Sequence, residues 1–324
     1  MANLLDEASI LLTPTAYNNG SMLAVKPENG DGDMTFSRNS AATRVNAQGL
    51  VENVQILSSN LVSNGDFSQE GAEEVTNGSF TNGTTDWSLT SSGDSSSNVI
   101  ITNGSCQIIS DGTLTGLTQT LVTTIGKTYK CTINISSVNN VGGGIAISNG
   151  NVFASSIATF TTAEIHTFYF KATSTSVSIK RASGLGGSID YTIDNISVKE
   201  VGQDWTLVGD FKIGNNELLI TNASQYSQAT QQQGSTFLTA NKLYKLSADI
   251  ETLSISNTLA YRVTGGAVTP ISTSQVVGGK FETEFIMPSS GNLWFQTTGS
   301  YTGLNATITN ISVIEITDDT NLPR

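Results

Sequence analysis

Two segments decide the fold of this chain. Residues Ile193 to Glu200 read IDNISVKE, and residues Ile308 to Glu315, 115 positions further on, read ITNISVIE. The second half of each segment alternates apolar and polar residues, which is typical of a half-buried β-strand. A near-identical strand at two places in one chain indicates that a whole structural unit occurs twice.

Two further landmarks support the duplication. Asp86-Trp87-Ser88-Leu89 returns as Asp204-Trp205-Thr206-Leu207 after 118 residues, and the TYKC segment 128–131 returns as LYKL at 243–246 after 115 residues. Solenoid repeats have periods of about 20 to 50 residues, so this spacing indicates a duplicated domain.

The composition favours strands and turns over helices. Ser, Thr, Asn and Gly supply 142 of 324 residues, and only 13% of the residues are charged. Period-two alternation, as in 174–180, is interrupted by Asn-Gly and Gly-Gly turn signals. We therefore predict an all-β chain of two tandem antiparallel β-sandwiches of the jelly-roll type after a short extended or β N-terminal segment.

The predicted organisation has four parts. Residues 1–58 form an N-terminal anchoring segment, 59–201 the first jelly roll, 202–316 the second, and 317–324 a linker. The anchoring segment is too short and polar for a large core of its own, so its apolar residues, such as Leu23 and Val25, are expected to dock on another protein or another copy.

Charge and hydropathy exclude two classes of partner. The net charge of −12 would repel the phosphates of a nucleic acid. The apolar runs are far shorter than the roughly 20 residues that cross a bilayer, and the first residues lack the pattern of a secretory signal. We expect neither nucleic-acid nor membrane binding.

The alignment of the two copies also indicates the role of the two cysteines. Cys131 aligns with Leu246 and Cys106 with Leu218, so each thiol takes the place of a leucine of the other copy. Free cysteine behaves as a small hydrophobe, which favours two reduced core thiols. A disulfide between neighbouring strands is the alternative.

The two copies resemble β-sandwich carbohydrate-binding modules. Such modules open with an Asn-Gly-Asp/Ser-Phe element, carry a Trp about ten residues on and close with a strand like that of 193–198. The opening occurs twice, at 64–67 and 77–80, both before Trp87, and the second copy lacks it. The resemblance implies a structural calcium in the first jelly roll, with Asp194 and Asp66 as its candidate ligands and Asp86 as a further one.

The N-terminal segment carries a second resemblance. The stretch FSRNSAATRVN at 36–46 is similar to the start of tailed-phage virion proteins of the crAss-like and marine Bacteroidetes type, in which such a stretch precedes sandwich domains. It implies a head or tail fibre or capsid-decorating protein on the virion surface, bound to other virion proteins and to itself, with a trimer as the usual assembly. The natural chain would then continue beyond Arg324. The alternatives are an accessory module of a bacterial cell-surface glycosidase and a spacer that binds no glycan.

The candidate glycan site lies in the second copy. Trp294 stands between Leu293 and Phe295, which are expected to point inward, so its own ring points outward in the place of Ser178. A flat exposed ring can stack on sugar C–H groups. Arg262, aligned with Ala146, and the neighbouring Tyr261 complete the predicted site, and packing against another domain is the alternative. Trp87 and Trp205, by contrast, are predicted core residues.

Catalysis is not expected. His166 is the only histidine, and no nucleophile stands at an interpretable spacing from it. Sequence alone cannot place two carboxylates at the separation that glycosidases need. We therefore predict a binding protein and no enzyme.

Overall fold

The computed structural model describes residues 9–18, 21–27, 29, 31–35, 43–45, 49, 51–53, 55–91, 97–102, 104–231, 237–255, 258–298 and 302–318. The first six strands are β1 (Leu11–Asn18), β2 (Ser21–Lys26), β3 (Met34–Thr35), β4 (Thr43–Val45), β5 (Val51–Asn53) and β6 (Gln55–Leu57). The next eleven are β7 (Glu70–Glu73), β8 (Ser88–Thr90), β9 (Asn98–Thr102), β10 (Ser105–Ser110), β11 (Gly116–Thr120), β12 (Thr128–Val141), β13 (Ile145–Asn149), β14 (Ser156–Phe160), β15 (Ile165–Lys171), β16 (Ser176–Arg181) and β17 (Ile189–Val201). The last eleven are β18 (Trp205–Val208), β19 (Phe211–Gly214), β20 (Glu217–Ala223), β21 (Gln228–Gln231), β22 (Leu243–Glu251), β23 (Leu259–Val263), β24 (Thr269–Pro270), β25 (Val276–Val277), β26 (Lys280–Ile286), β27 (Leu293–Thr297) and β28 (Leu304–Asp318).

The strands build two antiparallel sandwiches, which confirms the predicted fold class. In the first sandwich, the sheet β15-β12-β17-β10-β9 faces the sheet β14-β13-β16-β11-β8. In the second, β19-β20-β28-β22-β26-β25 faces β18-β21-β27-β23-β24. The one helical element among the described residues is the short 3₁₀-helix Thr273–Gln275.

The long strands β17 and β28 hold equivalent positions. One edge of β17 pairs first with β10 and then with β7, and the same edge of β28 pairs first with β20 and then with β6. The short strands β6 and β7 are therefore the first strands of the second and the first sandwich, respectively. Each is followed by one of the two Asn-Gly-x-Phe elements.

The earlier of those elements belongs to the second sandwich. The Phe67 ring lies 5.2 Å from the Trp205 ring, and Phe80 lies 5.6 Å from Trp87, centroid to centroid. The Trp205 indole N–H donates to the carbonyl oxygen of Asn64, as the Trp87 indole donates to that of Asn77. Each sandwich thus has one complete opening element.

The first sandwich is consequently inserted into the second. The Asn77 side chain accepts from the Asn82 N–H and donates to the Thr85 carbonyl; the Asn64 side chain accepts from Gln69 and donates to Gln203. Gln69 and Gln203 are thus the counterparts of Asn82 and Thr85. Two residues separate Asn82 from Thr85 in the first sandwich, whereas residues 70–202 separate Gln69 from Gln203 in the second.

This nesting corrects the predicted organisation. The second sandwich comprises 55–69 and 202–318, and the first comprises 70–201. The expected boundary between 201 and 202 agrees with the fold, whereas the expected boundaries at 59 and 316 do not. The statement that the second copy lacks an opening element is also wrong. Both elements precede Trp87 along the chain, and only contacts across the fold show that 64–67 packs against Trp205.

The cores confirm the predictions for the shared aromatic and cysteine positions. Trp87, Trp205, Cys106 and Cys131 are buried, and both cysteines are free thiols. Tyr129 and Tyr244 are buried as well, and their hydroxyl oxygens accept equivalent backbone N–H groups, those of Thr124 and Thr239.

The N-terminal strands form a three-stranded sheet, β1-β2-β3, and the two-stranded pair β4-β5. Leu23 and Val25 are 40% and 45% exposed in this single chain, so the docking of the anchoring segment stays a prediction. Of the motif at 36–46, only residues 43–45 lie within the described residues. No helix in the described ranges has the length and hydropathy to cross a membrane.

Candidate functional site

The predicted site lies on the outer face of the sheet β18-β21-β27-β23-β24. Four residues form one row across this sheet, because each stands opposite the next in the strand pairing: Thr206, Thr230, Trp294 and Arg262. Side chains on directly opposed residues share a face. The structure thus brings Trp294 and Arg262 together as neighbours.

The pair has a defined geometry. The Arg262 guanidinium carbon lies 5.5 Å from the centroid of the Trp294 ring, which is within cation–π range. Such contacts contribute about 0.5–1 kcal/mol at exposed sites. Arg262 is exposed and Trp294 half-buried, so the guanidinium limits the movement of the ring and leaves part of it accessible.

A second row borders this pair. Val208, Gln228, Gln296 and Ala260 stand opposite one another, two residues along each strand from the first row. Gln228 and Gln296 are half-buried and place two side-chain amides beside Trp294. The sequence analysis missed both residues, although the alternation that orients Trp294 also places Gln296 on its face. We call Trp294, Arg262, Gln228 and Gln296 the platform.

The equivalent face of the first sandwich is covered by its own chain. Its row is Ser88, Thr118, Ser178 and Ser148, and small hydroxyl side chains leave space for the loop 150–154. The Ser178 hydroxyl donates to the Gly150 carbonyl over 2.7 Å, and the Ser148 hydroxyl donates to the carbonyl of Asn151. These pairings make Ser148, and not Ala146, the counterpart of Arg262.

Lys180 binds the loop 150–154 through its side-chain ammonium group. It is the counterpart of Gln296, lies over Gly116, and donates from its ammonium group to the carbonyls of Val152 and Ala154. The side chain is buried, and desolvation lowers the pKa of its ammonium group. The two sandwiches therefore differ in one respect that concerns binding. The loop 150–154 covers this face in the first sandwich, whereas in the second Arg262 is exposed and Trp294, Gln228 and Gln296 are half-buried, although Thr230 and Ala260 are buried.

Tyr261 is not part of the platform. It is 9% exposed and packs inward against Phe281 and Phe285, with ring centroids 6.0 and 6.2 Å away. The physical reason is that adjacent residues of a strand point to opposite faces, so Tyr261 and Arg262 cannot both be outward. The prediction for Tyr261 was wrong.

The candidate calcium ligands do not come together. Asp66 belongs to the opening element of the second sandwich, where its carboxylate accepts from the N–H and hydroxyl of Ser68. Asp194 lies on β17 of the first sandwich and accepts from the Ser136 hydroxyl. The nesting places the two carboxylates in different sandwiches, and the calcium site stays a prediction. No group of three His, Cys, Asp or Glu residues with metal-binding geometry occurs in the part of the chain that the structure describes.

Comparison with known proteins gives matches to solved structures alone. No family model and no curated protein matches the sequence. The tandem CBM22-1–CBM22-2 domains of Xyn10C from Paenibacillus barcinonensis are 12% identical, with a TM-score of 0.31, and 76% of this chain and 98% of that chain are covered. A truncated AlyQ with CBM32 and alginate lyase domains is 10% identical, with a TM-score of 0.23 and coverage of 75% and 98%. The M60 catalytic domain with CBM51-1 and CBM51-2 of Clostridium perfringens ZmpB is 8% identical, with a TM-score of 0.21 and coverage of 95% and 43%.

Proposed function

We propose that this chain binds carbohydrate on the platform of the second sandwich. The observation that carries the proposal is the difference between the two copies. The face that 150–154 covers in the first sandwich is open in the second, and there it carries a tryptophan beside an arginine. A face of this kind on a sheet offers one apolar stacking surface with hydrogen-bonding groups around it, which is what sugar recognition requires.

The platform residues have distinct roles in this proposal. The accessible part of the Trp294 ring stacks on the C–H face of a sugar. Arg262 donates to ring or hydroxyl oxygens, and the amides of Gln228 and Gln296 both donate to and accept from hydroxyl groups. None of the four is a carboxylate or a nucleophile. We therefore propose binding without catalysis at this site.

A glycan array tests the proposal. Wild-type protein is expected to bind a defined set of neutral glycans, and Trp294→Ala is expected to weaken that binding about tenfold, as the loss of roughly 1.4 kcal/mol of stacking would do. Phe153→Ala is the matched control, since Phe153 is 78% exposed on the first sandwich, away from the platform. Binding that is equal in all three proteins would contradict the platform as the site.

The setting that we propose is the surface of a phage particle. Its support is the sequence motif at 36–46, and many copies on one particle would turn weak platform binding into firm adhesion. An accessory module of a bacterial surface glycosidase would use the same platform. Immunogold labelling of purified phage particles distinguishes the two: regular labelling supports the virion setting, and unlabelled particles contradict it.

A further inference from the structure

A cleft lies between the two sandwiches and is lined by residues of both. Its volume is about 450 Å³, within the range of ligand pockets. The edge strand β15 contributes Tyr169 and Lys171, and the hairpin β19–β20 contributes Lys212, Gly214 and Leu219. A smaller hollow of about 230 Å³ continues it, because the two share Thr128, Leu207 and Ile213.

The two walls of the cleft are held by a double connection. The chain crosses from the second sandwich to the first at residues 69–70 and returns at 201–202. These two crossings lie side by side, since β7 pairs with the end of β17. Glu70 at the first crossing accepts from Lys130 over 2.7 Å and from Lys199 over 3.1 Å. Two adjacent crossings restrict rotation more than a single linker would, so the cleft is formed before any ligand arrives.

The two sandwiches contact each other directly at the cleft. The ring of Tyr169 lies so near Gly214 that a Cβ on that glycine would be 3.4 Å from Tyr169 Cδ2. Tyr169 also packs against the core of the second sandwich, although it belongs to the first. Leu219 adjoins Gly214 across the hairpin. The floor of the cleft is therefore apolar and partly aromatic.

The charge of the cleft is opposite to that of the protein. Among the residues that the structure describes, the cleft and the adjoining hollow are lined by Lys127, Lys171 and Lys212 and by no carboxylate, whereas the whole chain has a net charge of −12. Lys127 faces Glu200 over 3.5 Å. Lys171 and Lys212 are exposed and form no salt bridge within the described residues. Asp210 interacts electrostatically with Lys212.

We propose that this cleft is a second binding site, specific for an oligosaccharide that contains uronic acids. One sugar ring rests on Tyr169 and Leu219, and its carboxylate pairs with the ammonium groups of Lys171 and Lys212. The opposite charge selects a carboxylated sugar over a neutral one. The site is distinct from the platform, which carries the proposed binding of neutral glycans. None of the four platform residues lines the cleft or the adjoining hollow, although Thr206 and Leu207 of β18, the edge strand of the platform sheet, do.

Titration calorimetry with tetragalacturonate tests this site on the full chain. Wild-type protein is expected to bind it, with an affinity that falls at least threefold between 50 and 300 mM NaCl because exposed charges are screened. The double change Lys171→Gln with Lys212→Gln should weaken binding at least tenfold. Both lysines are exposed, so these variants retain the fold, which far-UV circular dichroism verifies.

Two control variants and two control ligands make the outcome decisive. Lys245→Gln removes a lysine that is paired with Glu282 outside the cleft, and Trp294→Ala removes the platform ring; each should leave tetragalacturonate binding unchanged. The affinity for a neutral tetrasaccharide should not change on substitution of the two lysines. A sulfated oligosaccharide of equal length should bind more weakly than the uronate. The proposal is overturned if tetragalacturonate does not bind, if the lysine changes have no effect, if Trp294→Ala abolishes its binding, or if the sulfated chain binds equally well.

Discussion

The indole N–H of Trp205 donates to the carbonyl oxygen of Asn64 over 3.1 Å, across 141 positions of the chain, whereas Trp87 makes the same bond to Asn77 across ten. The difference of 131 residues is the first sandwich, placed inside a turn of the second. Because the same hydrogen bonds surround both turns, the insertion has left the geometry of the opening element unchanged.

Excision of the inner sandwich should leave the outer one folded. Residues 70–202 are replaced by Gly-Thr, the two residues that separate Asn82 from Thr85. We expect a cooperative thermal transition, measured by circular dichroism, because the contacts of Val62 and Phe67 with the outer core are retained.

The matched control is residues 202–318 alone. This fragment lacks the opening element, and the loss of one buried Phe costs about 3–5 kcal/mol against a typical stability of about 5–15 kcal/mol. It should unfold without a cooperative transition. A stable 202–318 fragment, or an excised protein that fails to fold, would be inconsistent with the nested arrangement.

Gly65→Ala and Gly78→Ala should each destabilise one sandwich. An added Cβ would lie 2.1 Å from the carbonyl oxygen of Ile311 in the first case and 2.2 Å from that of Ile196 in the second. Overpacking of this kind costs about 1–3 kcal/mol. Hydrogen exchange should accelerate in β28 for Gly65→Ala and in β17 for Gly78→Ala. Gly186→Ala, whose added Cβ meets nothing within 4 Å, should change exchange in neither strand. Faster exchange in β17 on Gly65→Ala would show that the 64–67 element belongs to the first sandwich, which would contradict the nested arrangement.

The two buried thiols should make stability fall at alkaline pH. Burial raises the pKa of Cys106 to about 12 and raises that of Cys131 still further. Above pH 9 the unfolded chain loses thiol protons that the folded chain keeps, so the free energy of unfolding decreases as pH rises through this window. The decrease is about 1.4 kcal/mol per pH unit for each thiol.

Urea unfolding at pH 8 and pH 10 measures this effect. The wild type should lose up to about 3 kcal/mol more than the double variant Cys106→Val, Cys131→Val, which shares every other titrating group. An equal loss in both proteins would show that the thiols do not contribute.

Lys180→Met should release the loop that covers the first sandwich. The change keeps the length of the side chain but removes the donors to the Val152 and Ala154 carbonyls. Hydrogen bonds from a charged group are worth about 1.5–3 kcal/mol, so amide exchange in 150–155 should quicken at least tenfold. Lys245→Met, at an exposed pair, serves as the control. Unchanged exchange in the loop would show that Lys180 does not hold it.

The sequence was sufficient for the sandwich fold and for the burial of the shared positions, because both depend on local alternation and on comparison of the copies. It was insufficient for the nesting. Asn64 and Asn77 stand 13 residues apart, and both precede Trp87, so order along the chain assigns both elements to the first copy. The contact of Phe67 with Trp205 reverses that assignment, and it becomes visible only when the chain is folded.

The site was predicted in part for a similar reason. The orientation of Trp294 followed from its two apolar neighbours, but the row that it joins depends on strand register, which places Arg262 and Thr230 on either side of it. The cover over the first sandwich depends on loop 150–154 and could not be deduced from the strands. Tyr261 could have been excluded from the sequence, since its neighbour Arg262 was already outward.

The most direct test of the central claim uses the three tryptophans as reporters. Trp87 and Trp205 are buried in the two cores, and Trp294 lies on the platform. In ¹⁵N-labelled protein, titration with a neutral oligosaccharide selected on the array should shift the indole N–H signal of Trp294 and leave those of Trp87 and Trp205 in place. Saturable binding with an unmoved Trp294 signal would contradict the claim that the open face of the second sandwich binds carbohydrate.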